Sequence, residues 1–173
     1  MISLSVFFWI FVGLFAIIGA IRGWSKELLV TFSGVLGIFI VTVLLPLIDN
    51  SMTSTSLFWA QTIIFALVVF FGYQTPNFRK LSESGRFVRE TIKDTVIGMI
   101  LGTFNGYMII GSLWYYMDKA GYPLTSITAP DQTTAVGQYA AKILAIVPPV
   151  VMTGNFVYFA IAIAFVIVLV IFL

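Results

Sequence analysis

The chain has 173 residues, of which 60% are hydrophobic and 9% charged; nine Lys and Arg stand against seven Asp and Glu, with no His or Cys and a mean hydropathy of +1.07. A soluble domain covers itself with far more charge than this, so the composition excludes a water-soluble globular protein and points to a chain that lives in lipid. The missing Cys and His remove disulfides, thiolate metal sites and the commonest metal ligand.

Residues 3–21 form the first apolar stretch long enough to cross a bilayer. No basic leader precedes it, and the nearest small-residue cleavage pattern falls inside the run, so it is expected to remain as a first span. Arg22, Lys26 and Glu27 interrupt the hydrophobicity, and a second span is expected over 28–48. So short a connection makes the two helices antiparallel and adjacent, with the three charges at the tip of the hairpin. Gly13, Ala16, Ala20 and Gly23 form a small-residue stripe on the first helix and Ser33 and Gly37 a shorter one on the second, so these stripes are expected to meet.

A third span is expected over 57–75, opened by Phe58 and Trp59. The following loop is the only extended charged segment. From Arg86 onward, Phe87, Val88, Thr91 and Ile92 share one helical face. That pattern predicts a short amphipathic helix on the inner leaflet, with Arg79, Lys80, Arg86, Arg89 and Lys93 as the headgroup contacts. The fourth span, 95–117, carries two overlapping GxxxG steps at Gly98, Gly102 and Gly106, with Asn105 beside them, and reads as a helix-packing face. Residues 143–152 are too short to span and contain Pro148 and Pro149, so an interfacial or re-entrant piece is expected there. A fifth span is expected over 155–173, with Ala160, Ala162 and Ala164 offering a narrow face to a neighbouring helix.

Basic residues fix the expected orientation. Arg22, Lys26, Arg79, Lys80, Arg86, Arg89 and Lys93 fall on one side and Lys119 and Lys142 on the other, seven against two. The seven-residue side is the cytoplasmic one, which puts the N-terminus outside and the C-terminus inside.

Candidate chemistry is sparse. There is no nucleophile elbow, HExxH, Walker loop or dinucleotide fingerprint. Glu27, Asp49, Glu83, Glu90, Asp94, Asp118 and Asp131 all fall in expected turns or loops, so no acid is expected at mid-membrane and an ion-coupled carrier is disfavoured. Asn105 and Gln61 are the strongly polar intramembrane groups, suited to a quinone or a weakly held magnesium but more often used for interhelical hydrogen bonds.

The segment IGAIRGWSKELLVTFSGVLG, residues 18–37, resembles the hairpin of the colicin V production (CvpA-like) membrane protein family, with Gly19, Arg22, Gly23, Trp24, Lys26, Glu27, Leu28, Gly34 and Gly37 in the motif positions. IGMILGTFNGYMI, residues 97–109, is similar to that family's glycine-rich fourth span, although Asn105 stands where the family often has Arg. The apolar ILAIVPPV resembles the tail after that span. The resemblance implies a four-span bacterial inner-membrane module over 1–150, to which 155–173 is an addition. It also implies links to bacteriocin export, envelope maintenance and membrane tethering, with no catalytic residues in the module.

The sequence therefore leads to an all-α polytopic transmembrane bundle, a four-helix core with an added C-terminal helix. It is expected to be a non-catalytic accessory or scaffold subunit of a bacterial inner-membrane assembly, photosynthetic or respiratory complexes included. Its helix-packing residues are Gly19, Gly23, Gly34, Gly37, Gly98, Gly102, Asn105 and Gly106. Partners are the bilayer and other integral membrane subunits or a second copy, with no nucleic acid and no identifiable small-molecule substrate. No intrinsic cofactor is expected, only contact with lipid, quinone or pigment. The competing class is an export or channel component of the same membrane.

Overall fold

The computed structural model describes residues 3–48, 51–74 and 88–172, and the elements among them are all helical. Four helices are long and apolar enough to cross a bilayer: α1 (Leu4–Arg22), α2 (Trp24–Ile48), α3 (Ser54–Tyr73) and α4 (Val88–Lys119). After α4 come α5 (Ala135–Leu144), the one-turn α6 (Pro148–Val151) and α7 (Asn155–Phe172).

Local chemistry sets the ends of these helices. Ser3, Thr53 and Thr134 each cap the helix that follows, accepting from the backbone N–H groups of Val6, Ser56 and Gly137. At the far end of α4, Gly121 takes φ 73° and the Tyr122 N–H reaches back to the Met117 carbonyl at 2.9 Å, while the Gly121 N–H bonds the Asp118 carbonyl at 3.0 Å. This Schellman closure satisfies carbonyls the helix would otherwise leave open. Within α2, Pro46 cannot donate to the helical ladder; residues Ile40–Leu44 widen into a π-turn just before it, with the Leu45 N–H bonded to the Ile40 carbonyl.

A single residue, Gly23, joins α1 to α2 at φ 82°. The expected antiparallel hairpin forms, but the two small-residue stripes do not meet. Instead α1 packs principally on α4. Gly19 lies against the backbone of Gly98 and Gly102, Phe15 against Gly102 and Gly106, and Val12 against Gly106, whereas Gly13 faces open space. The glycine row of α4 offers a longer bare-backbone trough than α2 does. The small positions of α2 are taken elsewhere: Ser33 by Gly72 and Gly37 by Phe65, both of α3, and Gly34 by the Met108 side chain of α4.

The helical segment at the start of α4 also differs from expectation. Residues 88–94 continue α4 rather than forming a separate amphipathic helix. Arg79, Lys80, Arg86 and Phe87 lie outside the described residues, Arg89 falls in the first turn of α4, and Lys93 is exposed on it. Residues 143–152, expected as an interfacial or re-entrant piece, pack against the interior of α4. They supply the end of α5, a turn and α6, with Val147 and Pro148 seated against Gly111 of α4. Trp9 donates to the Tyr139 hydroxyl at 3.0 Å and the Tyr107 hydroxyl to the Ile146 carbonyl, tying this cap to the bundle.

Antiparallel to α2, α7 buries Val157 and Ala164 and sets Tyr158 edge-on to Phe39 at 6.0 Å. The alanine face expected to await a neighbouring helix already has α2 as that neighbour. The outside of the bundle is apolar: Ile21 is 80% exposed, Phe71 70% and Phe159 67%. Side chains of this size, uncovered on several helices, are suited to hydrocarbon rather than water.

A buried polar cluster as the candidate functional site

Where α1 turns into α2, side chains from four helices converge. Glu27 is in the first turn of α2 and is 0% exposed, not at a solvated hairpin tip. Its Oε1 accepts from Arg22 Nε at 2.7 Å, and its Oε2 accepts from Asn105 Nδ2 at 2.9 Å. The same Asn105 nitrogen donates to the Glu27 carbonyl at 2.9 Å, and the Thr31 hydroxyl donates to Asn105 Oδ1 at 2.7 Å. The Thr31 oxygen is also 3.1 Å from the Glu27 carbonyl, but a hydroxyl has one proton and the shorter approach takes it. Donors and acceptors match throughout: the amide NH2 meets two acceptors, and the amide oxygen meets a donor.

Arg22 completes the cluster from the side of α3. Its guanidinium carbon is 4.6 Å from the centre of the Tyr73 ring, a cation–π geometry, and its terminal nitrogens make long 3.5 Å contacts with the Tyr73 carbonyl. The Arg22 side chain keeps 23% exposure, so the cation reaches the edge of the bundle while the carboxylate does not. A neighbouring bond holds the turn itself: the Trp24 N–H donates to Asp94 Oδ1 of α4 at 2.9 Å. Because Gly23 gives α2 no capping side chain, Asp94 supplies the cap from another helix.

The expectation that the carboxylates all fall in turns or loops is overturned, since Glu90, Asp94 and Asp118 lie within α4 and Glu27 is buried in the first turn of α2. The physical reason is long-range: α4 brings Asn105 alongside α2, and the amide with the Arg22 cation replaces the hydration a carboxylate loses on burial. Asn105 is buried at the helix interface, where its amide nitrogen donates twice to Glu27 and its oxygen accepts from Thr31. Gln61 is half-buried on α3, away from this cluster. Among the described residues, no three of His, Cys, Asp and Glu gather in a metal-binding group.

Of the expected packing glycines, Gly19, Gly23, Gly98, Gly102 and Gly106 come together at the α1–α4 seam, with Gly23 pressed by Asp94 and Gly98. Gly34 and Gly37 serve the contacts of α2 with α4 and α3. Glu27, Thr31 and Tyr73 join these contacts without belonging to the small-residue pattern of the sequence. One signal was present for the first two: Glu27, Thr31 and Gly34 recur at four and three residues, the spacing of one helix face. Compared with known proteins, the chain matches no family model, no curated protein and no solved structure.

Proposed function

We propose that the chain is a non-catalytic, multi-pass scaffold or accessory subunit of a bacterial inner membrane, related in design to the CvpA-like proteins it resembles. One observation carries this reading: the charged and amide groups at the heart of the bundle, Arg22, Glu27 and Asn105, are engaged with one another across helices. A carboxylate poised for catalysis or ion coupling needs a free face toward substrate or water. Glu27 instead has both oxygens bonded and no exposure. Such a cluster holds helices in register, and the apolar exterior is left for lipid and other membrane subunits.

The test is purification of the full chain in mild detergent after in-membrane cross-linking, beside a variant lacking 155–173. A scaffold co-purifies with a fixed set of integral membrane proteins, and the truncated chain inserts but loses them if α7 carries the docking. A chain that runs alone, or that forms an oligomer conducting ions in planar bilayers, refutes the scaffold reading and favours the export or channel class.

In the proposed orientation the Arg22 end of the bundle faces the cytoplasm. This orientation rests on the count of seven basic residues against two in the sequence; among the described residues, Arg22, Lys26 and Lys93 lie at one end of the antiparallel helices and Lys119 and Lys142 at the other. Single cysteines at Ser84 and Thr55 test it with an impermeant thiol reagent in intact cells. Thr55→Cys labels and Ser84→Cys stays silent; the reverse pattern inverts the topology.

A further inference from the structure

A groove of about 860 Å³ runs along the membrane-facing side of α2, between α3 and α7. Its floor is Ser33 and Gly72, and Leu29, Leu36, Phe71 and Phe165 are among its walls. The volume is that of a ligand site, which typically measures about 300–1,000 Å³. The one side-chain hydroxyl at its floor is not free, since Ser33 Oγ donates to the Leu29 carbonyl at 2.9 Å. A ligand that relies on hydrogen bonds along its length finds no partner here, and an aliphatic chain needs none.

The groove has a charged end. Lys26, Leu29, Ser33 and Leu36 recur at three, four and three residues and form one stripe of α2. From Leu36 to Leu29 the groove follows that stripe for about 10 Å, and Lys26 stands on the same stripe about one turn beyond Leu29. Lys26 is partly exposed, and the carboxylates nearest it in the turn are occupied: Glu27 by Arg22 and Asn105, Asp94 by the Trp24 N–H. Among the described residues the Arg22–Glu27 pair is the one ion pair, so the Lys26 ammonium is left for a ligand.

We infer that this groove seats one acyl chain of an anionic phospholipid whose phosphate rests at Lys26. Apolar walls select the tail, and a lone cation at the membrane-surface end of the stripe selects the head. A partner helix fits less well. Close helix approach uses small residues, and of those along this side Gly72 is taken by Ser33, Gly37 by Phe65 and Ala164 by burial within the bundle, which leaves Ala162 alone. The assignment stands apart from the scaffold reading, because a chain with no protein partner would still bind the lipid.

Native mass spectrometry of the full chain in mild detergent tests it, with phosphatidylglycerol and phosphatidylcholine of identical acyl chains as probes. The parent retains phosphatidylglycerol several-fold over phosphatidylcholine. Lys26→Gln brings the two to the same level, and Ala162→Trp, at an exposed position of the groove wall, lowers both. Ala162→Leu gives a smaller loss of both, which decides the matter should the tryptophan variant lose its helical circular dichroism. Equal retention of the two lipids by the parent overturns the assignment, as does selectivity that survives Lys26→Gln. A dimer that Ala162→Trp converts to monomer with lipid retention unchanged also overturns it, by assigning the groove to a second copy.

Discussion

Asn105 of α4 reaches Glu27 of α2 through two hydrogen bonds from one nitrogen, each 2.9 Å long, one to the side chain and one to the main chain. The pair is 78 residues apart in sequence and wholly buried. Bonding the main chain as well as the side chain fixes both the height of α4 against α2 and the direction of the carboxylate. Arg22 then sets α1 and the end of α3 against the same point.

The α1–α4 seam is as closely packed as backbone allows. At Gly102 an added Cβ meets the Gly19 Cα at 2.9 Å and the Phe15 carbonyl more closely still, and neither is a flexible side chain that can swing away. Gly102→Leu therefore forces the helices apart, where overpacking typically costs about 1–3 kcal/mol. Thermal unfolding in detergent should show the loss. Gly13→Leu, at a position with nothing within 4 Å, serves as the control that leaves the midpoint unchanged.

Asp94 caps a helix to which it does not belong. Its removal leaves the Trp24 N–H unpaired at the positive end of α2, so Asp94→Ala should destabilise the bundle by about 1 kcal/mol. Asp94→Asn keeps an accepting oxygen and should recover most of that loss. Equal destabilisation by both variants in the same unfolding assay would show that the oxygen acts through charge alone.

The loop after α4 gives a pH-dependent signature. The Tyr122 hydroxyl accepts from Trp114 Nε1 at 3.1 Å and donates to Asp118 Oδ1 at 3.1 Å. Burial pushes its pKa up from 10.0 to about 12; the Trp114 bond works against this shift, and the Asp118 carboxylate adds to it. A raised folded-state pKa means that the protonated phenol favours the folded form. Its contribution is fully present below pH 10 and is lost as pH rises from there through about 12. The difference in melting temperature between the parent and Tyr122→Phe should therefore hold steady up to pH 10 and shrink above it. A difference independent of pH contradicts this placement of the phenol.

Much of this fold is legible in the sequence. Apolar runs mark the spans, and the spacing of Gly98, Gly102 and Gly106 marks a face that another helix must meet. Which helix meets it is not legible, because Gly13, Ala16 and Ala20 advertise a stripe as plausible as the one that packs. The choice is made by Phe15 and Gly19 fitting the trough of α4. Glu27 is the harder case. A carboxylate five residues from Arg22 and next to Lys26 has the local pattern of a solvated turn, and nothing nearby in sequence announces Asn105. Its burial follows from the pairing of α2 with α4, a long-range fact that local periodicity does not contain.

A double-mutant cycle between Glu27 and Asn105 tests most directly the claim that the central polar groups hold the helices together. Glu27→Ala, Asn105→Ala and the double variant are compared with the parent by unfolding in detergent. Glu27→Ala leaves Arg22 without its buried counter-ion and Asn105→Ala leaves Glu27 under-bonded, each a loss of about 2 kcal/mol or more. The account predicts that the double variant is destabilised by at least about 1 kcal/mol less than the two single losses combined. Additivity within about 0.5 kcal/mol would contradict it, since the two residues would then act independently.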